Sequence, residues 1–306
     1  MAIRREKKGV LAARKGVEWI ISNQIKLPFP MVCMALKRIF QTTYDLYLIN
    51  KFSKIFNAIN AVYLEESYIL LEEINLNQSK YTQWDSFDTI LKSYENFYTM
   101  KKDNLIINKI QDHLNKYEEE LLNNLQLCVQ LRAVKKLERL GFKIDKSTTQ
   151  VEKEILNFFE NNKDVFFSKI SFFRYIPYIL YIYDITHVIF NASDDCKHYV
   201  DSSRYVKEKE ILMLLLDRFL EIEAMDDKEI DMSAELLICL KLLQTKETPT
   251  MIKMQERLLQ LQNFDGSWGK AEISISPSGK IHHTGVVILA VQDLAPSFRS
   301  LERNQS

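Results

Sequence analysis

Histidine and cysteine are the scarce chemical groups of this 306-residue chain, at five and four copies. Their spacing decides which of them can act together. His187 and Asp194 stand two helical turns apart, so a continuing helix puts both on one face. A break at Asn191 would instead fold Asp194 back toward the imidazole. Either geometry lets a carboxylate orient a histidine, the usual partner of an imidazole that moves protons or binds metal. His282 and His283 are adjacent and point to different sides of a helix start, where an imidazole tends to stay neutral and serves as base, ligand or cap. Asp226, Asp227 and Glu229 read as a solvated turn between helices, and Asp231 as the cap of the helix after it. His113 and His198 lie in polar surroundings and read as surface. Phe166, Phe167, Phe172, Phe173, Tyr175, Tyr178, Tyr181 and Tyr183 fit either core packing or the lining of a cavity that stabilises cations.

The cysteines, Cys33, Cys128, Cys196 and Cys239, include no close pair, so neither a zinc ribbon nor a dithiol redox site is signalled. Cys33, Cys128 and Cys239 sit among apolar residues and read as small buried hydrophobes. Lys plus Arg equals Asp plus Glu at 41 each, which argues against a nucleic-acid or anionic-membrane binder, since both need a basic surplus. The basic start MAIRREKK is followed by no apolar run of signal-peptide length, and the expected location is the cytoplasm. Tyr175–Tyr183 is apolar but too short to span a bilayer, and it contains Pro177.

The elements that must position these groups are helices. Apolar residues make up 46% of the chain, yet there are only seven glycines and six prolines, too few for the turns of a sandwich or barrel. Helical spacing predicts helices over 5–23, 31–50 and 53–74, then one following Trp84. A long one is expected over 105–140, closed by Gly141 in a left-handed cap. Thr149 and Glu152 read as a capping box for the next helix. Further helices are expected over 205–224, 232–244 and 249–262, and no linker interrupts them. The expectation is one all-α domain over 1–306.

Two segments match in a way that suggests a fold. Lys15-Gly16-Val17-Glu18-Trp19-Ile20-Ile21-Ser22-Asn23-Gln24 and Gln262-Asn263-Phe264-Asp265-Gly266-Ser267-Trp268-Gly269 resemble the two halves of the QW motif of terpenoid cyclases. That motif belongs to the α/α-toroid superfamily of squalene cyclases and protein prenyltransferase β subunits. In it an outer helix ends in Gln, a glycine-bearing turn follows, Trp stacks on the Gln amide, and an inner helix begins. His282-His283-Thr284 resembles the start of such an inner helix, and 231–295 carries the clearest toroid signature. The resemblance implies helical hairpins forming a partial toroid. In prenyltransferases zinc is held by an Asp-x-Cys pair and a histidine, which implies Asp194, Cys196 and His283 as metal ligands here. With the His187–Asp194 pairing, the expectation is that His187, Asp194 and His283 face one cavity at the toroid mouth and act together there. The acidic motifs of cyclases are not matched: Ala192 and Ser193 precede Asp194-Asp195, and Ile230 stands where a third aspartate would follow Asp226-Asp227.

Thr186-His187-Val188-Ile189-Phe190-Asn191-Ala192-Ser193-Asp194 also resembles the Thr-His-x-x-Phe-x-x-Thr-Asp motif of an uncharacterised bacterial family found near natural-product genes. That family continues Phe-Gly where this chain has Asp195-Cys196. The expected function is therefore a cytosolic bacterial protein of natural-product biosynthesis, an enzyme or an accessory, that takes an apolar or peptide-like substrate. The alternative is a non-catalytic helical scaffold binding a protein partner. Zinc is the one cofactor the resemblance implies.

Overall fold

The computed structural model describes residues 2–23, 39, 42–43, 45, 47–48, 71, 76, 78–98, 104–167, 176–270 and 277–294. The helices expected over 31–50 and 53–74, with Cys33, fall almost wholly outside the described residues. Among those described there is no strand, and ten α-helices follow one another: α1 (Ala2–Ser22), α2 (Trp84–Tyr98), α3 (Asn104–Leu122), α4 (Leu127–Arg139), α5 (Thr148–Phe167), α6 (Ile176–Ala192), α7 (Val206–Leu220), α8 (Asp227–Leu242), α9 (Pro249–Gln260) and α10 (Pro277–Val291). Two 3-10 turns, Ser79–Thr82 and Ser202–Arg204, complete the list. No helix of the described residues is long and apolar enough to cross a membrane. The chain divides into two compact units, Ala58–Asn191 and the combination of Met1–Asn57 with Ala192–Ser306.

In the unit Ala58–Asn191 the long helix expected over 105–140 is two. It breaks at 123–126, where Asn123 and Asn124 hold the chain poorly in a helix. Gln126, which precedes α4, offers no side-chain cap. Asp184 of α6 supplies one instead, its Oδ1 accepting the Cys128 N–H at 2.8 Å. Burial raises the Asp184 carboxyl above the usual range, against the hydrogen bonds from Cys128 and Gln126. Burial and then that carboxylate push the Cys128 thiol up to about 12, which makes it an inert core group. α4 ends as the glycine predicts. Gly141 has φ +83°, and Phe142 N–H donates to Leu137 C=O while Gly141 N–H donates to Glu138 C=O, both at 3.0 Å. The cap of α5 lies two residues before the expected one. Ser147 Oγ accepts from Gln150 N–H at 3.3 Å, and Gln150 Oε1 accepts from Ser147 N–H at 2.6 Å.

His113 is a core residue, not a surface one, at 6% exposure. Its ring lies between Phe87 and Tyr117, and its Nε2 is 2.9 Å from Tyr81 C=O. The expected polar neighbours exist in sequence, but α3 turns this position inward beside Ile110 and Leu114.

The other unit is built around two central helices. α8 and α10 pack on each other, and residues 230–240 and 284–291 are buried in unbroken runs. Helical stretches buried on every side can only be central ones. α1 and α9 pack on α10, while α7 and α9 pack on α8. α1 comes unusually close to α10 because Gly9 and Gly16 carry no side chain there. A methyl on Gly9 would meet Val291 O at 2.3 Å, and one on Gly16 would meet the Trp268 ring at 2.9 Å. Gln255 of α9 reaches Val291 O at 2.7 Å, whereas Trp268, next to Thr284, bonds Leu258, so α9 and α10 run antiparallel as expected. The carbonyls left without helix partners at the end of α10 are taken up by Lys241 of α8, whose Nζ donates to Ala290 O at 2.6 Å and Gln292 O at 2.9 Å. Arg257 of α9 does the same for the chain leaving α7, donating to Leu220 and Glu223 at 3.0 and 2.9 Å and also to Ile222.

The turn between α9 and α10 hangs on Trp268, which is 0% exposed. Its indole N–H donates to Leu258 C=O at 2.7 Å and its backbone N–H to Thr284 Oγ1 at 3.1 Å. Gln262 Nε2 donates to Gly266 O and to Ala12 O of α1, both at 2.9 Å. Gly266 also lies against α1, where a methyl on it would meet Lys15 O at 2.6 Å. The two halves of the sequence signature thus meet in space.

Trp268→Ala removes a wholly buried aromatic and leaves the Leu258 carbonyl unpaired. It is expected to cost about 3 kcal/mol, read as a fall in the midpoint of denaturant unfolding. An unchanged midpoint would show that the turn does not depend on the indole. His113 gives a pH signature. Burial holds its pKa below the ordinary histidine value, opposed by the Tyr81 carbonyl and helped by Lys116. The unfolded chain therefore takes the proton first, so its contribution to stability is complete above about pH 6.5 and shrinks as pH falls through the window beneath. His113→Gln keeps a donor for Tyr81 and is expected to flatten that slope in thermal melts between pH 7 and 5; an unaltered slope would refute it.

Candidate functional site

α8 starts earlier than its apolar pattern suggests. Asp226 Oδ1 accepts the Glu229 N–H at 2.9 Å and Glu229 Oε2 accepts the Asp226 N–H at 2.6 Å, a reciprocal cap. The expected cap, Asp231, is displaced into the helix interior. Asp227, Asp231 and Glu235 then recur every four residues along one face. Asp231 is 2% and Glu235 3% exposed, inside a helix whose other buried positions are apolar apart from Ser233. α10 also starts earlier than expected, at Pro277, so His282 and His283 lie in its second turn and not at its opening.

These shifts bring two elements together. His282 Nε2 stands 3.2 Å from Asp231 Oδ1, the imidazole 43% exposed and the carboxylate 3%. Among the described residues, Asp231, Glu235 and His282 are the one trio of metal-capable side chains whose ligand atoms lie within 4.8 Å of one another. His283 flanks them, its ring 6.0 Å from that of His282 at 64°. Its Nδ1 is buried and has no hydrogen-bond partner among the described residues. Gly269, at φ +97°, makes room for it: a methyl there would lie 3.3 Å from that nitrogen and 3.5 Å from the Asp227 carboxylate. Asp227 Oδ1 in turn accepts the Lys270 N–H at 2.6 Å, which ties the end of the tryptophan turn to the start of α8. Burial lowers the His283 pKa. Asp231, Asp227 and Asp226 oppose this, and His282 adds to it. The result is a neutral imidazole beside an accessible one, above a buried acidic stripe.

The residues expected to work together have other surroundings. His187 belongs to the unit Ala58–Asn191, while Asp194 and His283 belong to the other. His187 is half-buried, its Nδ1 2.6 Å from Tyr183 C=O one turn back on α6, with the rings of Tyr183 and Phe190 beside it. Asp194 pairs with Lys197 at 2.7 Å, both partly exposed. Asp194, Asp195 and Cys196 are three consecutive left-handed residues, at φ +50°, +55° and +71°. Cys196 is 0% exposed, held with its N–H on Ser193 Oγ at 3.0 Å. Asp194, Cys196 and His283, the zinc set implied by the prenyltransferase resemblance, do not form a ligand trio within 4.8 Å. Of the aromatic run, only the Tyr183 side chain lies among the described residues. Asp231 and Glu235 were missed as site residues, although the Asp-x3-Asp-x3-Glu spacing is itself a signal.

Residues 180–277 match a family described as a domain of unknown function (DUF6895). The matched stretch includes Thr186–Asp194, Asp231, Glu235 and the tryptophan turn, and ends before His282. No curated protein and no solved structure matches the chain significantly.

Gly269→Ala forces a left-handed residue to carry a side chain against His283. It is expected to destabilise the protein by about 1–2 kcal/mol and to shift the imidazole NMR signals of His283 but not those of His113. Unmoved His283 signals would show that the turn does not set the position of that ring.

Proposed function

We propose that the cluster of Asp231, Glu235, His282 and His283 is the working site of a toroid-like protein that binds an apolar or peptide-like small substrate, as an enzyme or accessory of bacterial natural-product biosynthesis in the cytoplasm. The observation that carries the reading is an accessible imidazole set 3.2 Å from a carboxylate that is itself 2% exposed. Carboxylates are seldom buried so deeply in an apolar helix without chemical use for their charge. Asp231 orients His282, and His282 is the group able to meet a substrate amide, carboxylate or hydroxyl and exchange a proton with it. His283 stays neutral and fills the wall behind. The inner-and-outer arrangement of α8 and α10 among α1, α7 and α9, with the tryptophan turn, supports the toroid resemblance. Cys128, Cys196 and Cys239 form no disulfide among the described residues, which agrees with a reducing compartment.

A second reading, a scaffold for a protein partner, is favoured by one feature. Phe264 is fully exposed at the tip of a turn anchored to α1 through Gln262 and Ala12, and Leu11, the residue before Ala12 in α1, is 57% exposed.

NMR of the histidine side chains, titrated with short apolar peptides and isoprenoid-like amphiphiles, tests the first reading. The signals of His282 and His283 are expected to move with ligand, and His282→Gln is expected to weaken binding about tenfold, near 1.4 kcal/mol. Ligands that leave both signals in place while Phe264→Ser abolishes a protein contact would favour the scaffold instead.

A further inference from the structure

We propose that Asp231, Glu235 and His282 bind a divalent transition-metal ion of the zinc type; the inference rests on the reading of this cluster as the working site. Donors around a tetrahedral ion at about 2.0–2.2 Å lie about 3.4 Å from each other. His282 Nε2 and Asp231 Oδ1 are already at 3.2 Å, and Glu235 completes a set confined within 4.8 Å. The remaining separations exceed that spacing by at most about 1.4 Å.

Charge points the same way. Asp231 and Glu235 are one turn apart on α8, each at most 3% exposed. Two carboxylates so close in a poorly solvated place can both ionise only at a cost in repulsion and lost hydration, and a dication between them offsets both. Asp227 adds a third carboxylate on the same face of α8. An imidazole with two carboxylates suits zinc, manganese or ferrous iron, and it disfavours calcium and magnesium, which prefer all-oxygen shells. Three protein ligands also leave a position open. His282 is 43% exposed, so that position is reachable from solvent, as in a catalytic metal site and not a closed structural one.

The test uses the full chain, stripped of metal with a chelator and titrated with Zn2+ by calorimetry and with Co2+ by visible absorption. One ion per chain is expected, with the Co2+ bands of a low-coordinate nitrogen–oxygen site. His282→Ala changes an exposed side chain and leaves the helix interior intact. It is expected to weaken binding at least about tenfold, as are Asp231→Asn and Glu235→Gln where they fold. Asp194→Asn and Cys196→Ser are expected to bind as the parent does. A parent chain that takes up no ion, or a His282→Ala chain that binds as tightly as the parent, overturns the inference. So does a loss of binding confined to the Asp194 and Cys196 variants. Ligand-induced shifts of His282 without metal uptake overturn the metal and leave the substrate reading standing. Metal uptake without those shifts upholds the metal and overturns the substrate reading.

Discussion

Burying α10 on all sides from Thr284 to Val291 is the constraint on which the unit of α1, α7, α8, α9 and α10 depends. A helical stretch with no solvent face gains the most from apolar contact, but it also carries its unpaired terminal carbonyls out of reach of water. The end of α10 is therefore served by neighbours, by Lys241 from α8 and by Gln255 from α9. Its approach is fixed by Trp268, whose indole N–H is held by Leu258 while its backbone N–H is held by Thr284. The glycines of α1 follow from the same demand, because a helix lying against Val291 O and the Trp268 ring has no room for a methyl at Gly9 or Gly16. Removing any one of these leaves a buried polar group or an overlap, which explains why so much of the local chemistry converges on one turn.

The same packing builds the site. α8 is apolar on nearly every side, so its start has to be decided by something other than hydrophobic pattern. Asp226 and Glu229 decide it through their reciprocal cap. Starting the helix there sends Asp231 and Glu235 inward, toward α10. His282 meets them because α10 begins early enough to place it in a second turn beside them. The tryptophan turn then closes the arrangement through the Lys270 N–H on Asp227. Core and site are thus one construction: the turn that fastens α10 also sets the neighbourhood of His283.

The legible part of this lay in local chemistry. Scarce glycine and proline with helical apolar spacing gave an all-helical chain. Gly141 and Pro249 marked helix ends correctly, and the Gln-to-Trp segment predicted a buried indole between antiparallel helices. Misreadings arose where two local signals competed. Asp231 precedes a clean apolar run and looks like a cap, but the stronger pair five residues earlier wins. The helix expected over 105–140 is broken at two asparagines and restarted by Asp184, which is 56 residues from the amide it caps. No local pattern can show such a partner. His113 has polar neighbours in sequence and aromatic ones in space for the same reason. His282 and Asp231 meet only across two helices, so the sequence shows each without the other.

The turn at Asp194–Cys196 illustrates how a motif and its geometry can part. The family that the preceding residues resemble has glycine where this chain has Cys196. The structure gives that position φ +71°, in the region glycine tolerates and other residues enter at a cost of about 1–2 kcal/mol. A cysteine there must recover that cost through its surroundings. It does so by burying its side chain completely and donating its N–H to Ser193. The left-handed run also turns Asp194 outward to Lys197. The feature that invited a metal reading, a carboxylate two residues before a thiol, is thus undone by the backbone that joins them: consecutive left-handed residues send one group to the surface and the other into the core. Equal sequence spacing places two side chains on one center only if the intervening dihedrals allow it. Along α8 the regular helix does allow it, and there the carboxylates converge.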